Sequence, residues 1–173
     1  STLEFDNPGL MLEFPSPEAQ EWAITRLAQL VRVRGADTFL AAHLLLPTPT
    51  YFPDPWARDA PGVYRLARRL LGYAGLGDLE VRVDLVGVAR SMEFEGTSET
   101  NGVAAIFRGI DGGVAEFVVD RNTLQDPTGV VGTMAHEVAH VFRCFHGLEV
   151  DDHDEEERLT DLTCVYLGYG SSP

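Results

Sequence analysis

The stretch from Asp126 to Gly147 constrains this chain more than any other. Asp126-Pro127 reads as a helix start, a capping carboxylate followed by a proline whose missing N–H is harmless in the first turn. Gly147 is the natural stop. Between them a core-facing stripe of Val131, Ala135, Val138, Phe142 and Phe145 recurs at helical spacing. Such a helix has to be buried against other elements. Yet M-A-H-E-V-A-H-V-F, residues 134–142, sets two histidines and a glutamate in its middle. A carboxylate such as Glu137 is costly to bury without a partner or a task.

The spacing suggests the task. His136 and His140 are four residues apart, on one helix face and one turn above each other. Two imidazoles so placed can aim at one metal ion, and Glu137, one step round, can lean over a water held there. This H-E-x-x-H pattern points to metal-dependent hydrolysis. The same face continues through Gly129, Gly132 and Thr133, small residues that leave room for a cleft.

A catalytic metal needs a third protein ligand and an open position. Candidates crowd the segment from Glu149 to Glu157, which holds seven acids in nine residues. From Asp154 to Leu167 a second helix is expected, with acids at its positive end and Leu159, Leu162 and Tyr166 inward. Asp161 falls where that helix becomes buried, so it needs a partner. Glu157 lies four residues before it, on the same face. Helical phase therefore favours Glu157 as the ligand, with Asp161 accepting the other ring N–H of a ligand histidine. His153 and Asp154 are the next candidates, and Glu155 and Glu156 are expected as exposed charges near the cap.

H-E-V-A-H followed after sixteen residues by E-R-L-T-D resembles the gluzincin clan of zinc metallopeptidases, over about residues 133–163. The resemblance implies a Zn2+ cofactor held by His136, His140 and Glu157. It also implies Glu137 as general base, Asp161 as outer-shell partner, and a peptide or protein substrate. The fold implied is α+β and zincin-like, a twisted sheet of three to five strands backed by helices. One domain is expected over 1–173: a helical, Pro-rich part (1–78), a sheet (79–125) and the metal-site helices (126–170). The Tyr or His that steadies an oxyanion in the clan has no clear counterpart; His146, His153, Tyr166 and Tyr169 are candidates. The alternative is therefore a catalytically weak or inactive binding or scaffold module with a structural metal.

The remaining sequence fills in the scaffold. Ser16-Pro17 opens a helix to Arg34, with Trp22, Ala23, Ile24, Leu27, Leu30 and Val31 inward. Thr38–Leu46 is helix or buried strand. Prolines at 47, 49, 53 and 55 exclude regular structure through Ala60, so Tyr51, Phe52 and Trp56 either line a groove or pin a connector to the core. Pro61–Leu71 reads as a helix whose Arg65, Arg68 and Arg69 offset nearby carboxylates, and 72–77 as a loop. Leu79–Val86 alternates like a half-buried strand. Val103–Phe107 and Val114–Val119 are further strands, joined at Asp111-Gly112, after a polar loop over 91–102.

Net charge is −14, with 27 acidic residues against 13 Lys and Arg, which disfavours nucleic acid and anionic lipid as partners. No apolar run is long enough to span a membrane, and none resembles a signal peptide. Two cysteines are too few for a disulfide framework, so Cys144 and Cys164 are expected as thiols. A cytoplasmic location is the expectation.

Overall fold

The structure, a computed structural model, describes residues 16–36, 48–87 and 104–169. Among the described residues it is α+β, with four α-helices and a three-stranded mixed sheet. In chain order these are α1 (Pro17–Arg34), α2 (Ala60–Tyr73), β1 (Glu80–Val86), β2 (Ala105–Asp111) and β3 (Val114–Asp120). A 3-10 turn (Arg121–Gln125), α3 (Pro127–Phe145) and α4 (His153–Tyr166) follow. The expectations for 38–46, for the loop over 91–102 and for Val103 fall outside the described residues.

Every helix starts on a side-chain cap, which satisfies an N–H that the helix cannot. Ser16 Oγ accepts from Ala19 at 3.2 Å, and Asp59 Oδ1 from Gly62 at 2.8 Å. Asp126 Oδ1 accepts from Gly129 at 3.1 Å, and Asp152 Oδ1 from Glu155 at 2.8 Å. The Asp126 cap gives Gly129 a reason to be small that has nothing to do with a cleft. A Cβ there would stand 2.5 Å from the capping carboxylate.

The sheet has the order β1-β3-β2, with β1 parallel and β2 antiparallel to the central β3. Ala115, Phe117, Val118 and Val119 of β3 are buried. The β2–β3 turn falls one residue later than expected, at Gly112 and Gly113, because Asp111 pairs with Val114. Both glycines have positive φ, 55° and 80°, the backbone that a tight hairpin turn demands and glycine adopts without strain. Between Phe107 and Gly109 the register slips, leaving Arg108 as an extra residue in β2.

Helix α3 lies at the centre, packed against β2, α2 and α4. Val130, Met134, Val138, Val141 and Phe142 meet Leu70 and Leu71 of α2, Phe117 of β3 and Tyr166 of α4 in one buried cluster. Phe145 leaves the expected stripe: it is the last residue of the helix, and its side chain is exposed. Ile24 of α1 is exposed as well. Among the described residues, one of the three arginines of α2 pairs with a carboxylate. Arg69 grips Asp54, whereas Arg65 donates twice to the Pro55 carbonyl, at 3.2 and 3.0 Å, and Arg68 donates to the Leu79 carbonyl. The Pro-rich segment is thus tethered to α2, with Phe52 and Trp56 packed on the core. The same two aromatics, with Leu66 and Val131, also line a hollow of about 210 Å³.

Candidate metal centre

His136 and His140 project from the middle of α3 toward α4, their rings edge-to-face with centroids 4.8 Å apart. Glu157, in the second turn of α4, reaches both. Its Oε2 lies 3.1 Å from His136 Nε2, and its Oε1 3.2 Å from His140 Nε2. Asp161 Oδ1 stands 3.2 Å from His136 Nδ1. The structure thus brings together the four side chains singled out by spacing. Asp161 differs in burial, however: its side chain is 73% exposed, and the buried face of α4 is Leu159, Thr160, Thr163 and Cys164. Apolar sequence neighbours did not fix the phase of the helix; the packing against α3 does.

The hairpin that brings Glu157 to the histidines is held by Arg143 and Glu156, the latter expected from its place near the cap to be exposed. Arg143 Nε and Nη2 fork onto Glu156 at 2.7 and 3.0 Å. Arg143 Nη2 also donates to the Leu148 carbonyl at 2.7 Å, and Glu156 Oε2 accepts the Val150 N–H at 2.9 Å. One ion pair, adjacent in sequence to Glu157, therefore ties the end of α3, the turn and the start of α4 together. A lone arginine in the apolar run V-F-R-C-F was the available signal, by the same reasoning that marked Glu137.

Glu137 is buried, and its Oε2 accepts the Phe107 N–H at 2.7 Å, beside the irregularity in β2. Burial pushes its carboxyl above the usual range, while His140, the Phe107 amide and His136 pull it back. One of its oxygens and one nitrogen of each histidine all lie within 4.8 Å of one another. Two carboxylates thus border the histidine pair. Glu157 is the closer of the two, because both its oxygens meet Nε2 atoms at contact distance. Glu137 stands farther off, with one oxygen already committed.

The donor set could hold a divalent cation. Two Nε2 atoms face one carboxylate, and Asp161, a pure acceptor while ionised, calls for a proton on His136 Nδ1. A neutral His136 then turns a lone pair toward Glu157, which is repulsive unless a positive charge lies between them. Without a metal, that charge is a proton. The Cys164 sulfur and the Glu157 carboxylate raise His136 to about 10 against the opposing effect of burial. The two histidines hold Glu157 far below the usual carboxylate range. Two imidazoles and a carboxylate are a donor set that could hold a divalent cation in the place of that proton.

Other candidates are placed elsewhere. Tyr166 OH donates to the Gly35 carbonyl at 3.4 Å, and Tyr169 OH to the Leu70 carbonyl at 2.6 Å. His146 packs against Phe142, with ring centroids 4.4 Å apart and the planes tilted by 55°. His153 and Asp154 are exposed in the first turn of α4. Both cysteines are free, and burial raises the Cys164 thiol behind His136. Thr160, which drew no notice in the sequence, has its Oγ1 3.1 Å from His140 Nδ1. Among the described residues, no helix is long and apolar enough to cross a membrane. Comparison of the chain with protein-family models, curated proteins and solved structures finds no match.

Proposed function

We propose that this chain is a zincin-like, zinc-dependent hydrolase that cleaves peptide bonds. The observation that supports it most is the convergence of His136 Nε2 and His140 Nε2 on the two oxygens of Glu157, at 3.1 and 3.2 Å. These three side chains would hold the ion, with Asp161 orienting the His136 ring. The chemistry that zinc supplies when bound is Lewis acidity, toward water and toward a carbonyl oxygen.

Glu137 has the properties of the general base. Its Oε2 is fixed by the Phe107 amide, which orients the carboxylate, and Oε1 is left to take the proton of the attacking water. Burial raises its proton affinity above that of a free carboxylate, the direction that suits a base. Giving the same proton to the leaving nitrogen would complete hydrolysis and return Glu137 to its starting state.

The test is cleavage of a proteome-derived peptide library by the zinc-loaded chain, read by mass spectrometry. Cleavage should stop with chelator, and Glu137→Gln should lose about 10²–10⁴ of the rate while retaining zinc. Cleavage that survives either treatment contradicts the proposal. A second reading, a metal-stabilised binding module, draws support from the hydroxyls of Tyr166 and Tyr169, both committed to backbone carbonyls. Zinc retention with a melting temperature that falls on chelation, and no cleavage of any peptide, would favour the module.

A further inference from the structure

Thr160 is fully buried in α4 and faces His140. Its hydroxyl has one proton and two lone pairs to offer. The proton goes to the Glu156 carbonyl, one turn back, at 2.7 Å. What remains toward His140 Nδ1, at 3.1 Å, is a lone pair, so the ring nitrogen has to be the donor. A neutral imidazole carries a single N–H. With that proton on Nδ1, the lone pair sits on Nε2, the atom that faces Glu157 Oε1 at 3.2 Å.

We infer that Thr160 is a positioning residue that fixes His140 in its Nδ1–H tautomer and so aims the Nε2 lone pair at the cation of the proposed centre. The inference rests on the reading of that centre as a metal site. It goes beyond it in naming what orients the second histidine, which no carboxylate serves at Nδ1 among the described residues.

Two comparisons within the molecule sharpen the assignment. Thr163, three residues on and equally buried, makes the same bond to the carbonyl one turn back, Leu159 O at 2.7 Å. Among the described residues its hydroxyl makes no hydrogen bond to a histidine. The backbone bond is therefore common to both threonines, and the imidazole contact belongs to Thr160. The two histidines also differ. His136 takes the exposed carboxylate of Asp161 at Nδ1, whereas His140 takes the neutral hydroxyl of the buried Thr160. A hydroxyl with both partners in place is far less costly to bury than an unpaired carboxylate.

The experiment is zinc affinity by competition with a chromophoric chelator, joined to long-range 1H–15N spectra of the histidine rings in the zinc-loaded wild type. Thr160→Val should weaken zinc binding by about 10–100-fold, the usual effect of removing a ligand's orienting partner. Thr163→Val, which loses the same helix bond, should bind as wild type, and Thr160→Ser should stay within about threefold. His140 should show a proton on Nδ1 and none on Nε2. Equal affinities for Thr160→Val and Thr163→Val, or a proton on Nε2, would overturn the inference. Should Thr160→Val fail to fold, Thr160→Ser and the wild-type spectra still decide.

His140→Ala separates the two levels of the argument. If it loses zinc while Thr160→Val does not, the centre stands and the role of Thr160 falls. If it keeps wild-type affinity, the centre itself is refuted, and the inference with it.

Discussion

Two regions of this molecule are closed by the same device in different surroundings. Arg69 forks onto Asp54 at 2.8 and 3.0 Å and ties the Pro-rich segment to α2. Arg143 forks onto Glu156 at 2.7 and 3.0 Å and ties α3 to α4. The geometry is the same, but the side chains are 36% and 32% exposed in the first pair and 4% and 12% in the second. Water screens the first and rewards its rupture by solvating both charges. The second cannot be broken without stranding a charge among apolar residues. The region that must hold three side chains in register therefore uses the pair that is costly to break. The region that only has to cover the core uses the cheaper one.

The comparison can be broken at the buried pair first. Arg143→Ala or Glu156→Ala should destabilise the chain by about 3–5 kcal/mol, because each leaves its partner charged and buried. Denaturant titration measures this, and a loss below about 1 kcal/mol would put the pair in the surface class. Replacing both residues together, Arg143→Met with Glu156→Leu, should cost less than either alanine variant, since no charge is then stranded. It should still leave a deficit, because the Leu148 carbonyl and the Val150 N–H lose their partners.

The exposed pair sets the lower end. Arg69→Ala should cost about 0–1 kcal/mol, and less as salt is added. Its pH signature has a definite sign. The Arg69 guanidinium holds the Asp54 carboxyl below its ordinary 3.8, with burial opposing. A carboxyl depressed in the folded state adds stability above its unfolded pKa and loses it as pH falls through the folded one. Asp54→Asn should therefore lower stability slightly at neutral pH and converge with wild type in acid. Convergence in the opposite direction would contradict the pairing.

Much of this arrangement was legible in the sequence, for local reasons. Ser16-Pro17 and Asp126-Pro127 mark helix starts because cap chemistry is set by neighbours a few residues apart. The juxtaposition of His136, His140, Glu157 and Asp161 follows from helical spacing within two segments once those segments pack. What escaped was what depends on the packing itself. Asp161 was expected in the interior and is exposed, because Leu159 and Leu162 flank it in sequence without sharing its face. Glu156 was expected in solvent and keeps only 12% of its side chain exposed, because Arg143 approaches from another helix. Thr160 and the Phe107 amide could not be singled out at all, since neither a threonine within a helix nor a backbone N–H carries a chemical mark in the sequence, and only packing brings them to His140 and Glu137.

The claim on which the rest depends is that two imidazoles of α3 and one carboxylate of α4 close around a single divalent cation. X-ray absorption at the zinc edge tests it most directly on the zinc-loaded chain. The account predicts one zinc per chain with two imidazole nitrogens at about 2.0–2.1 Å, oxygen at about 2.0–2.2 Å and no sulfur, and loss of this signature in Glu157→Ala. A sulfur shell near ~2.3 Å, or a spectrum with no imidazole contribution, would contradict it.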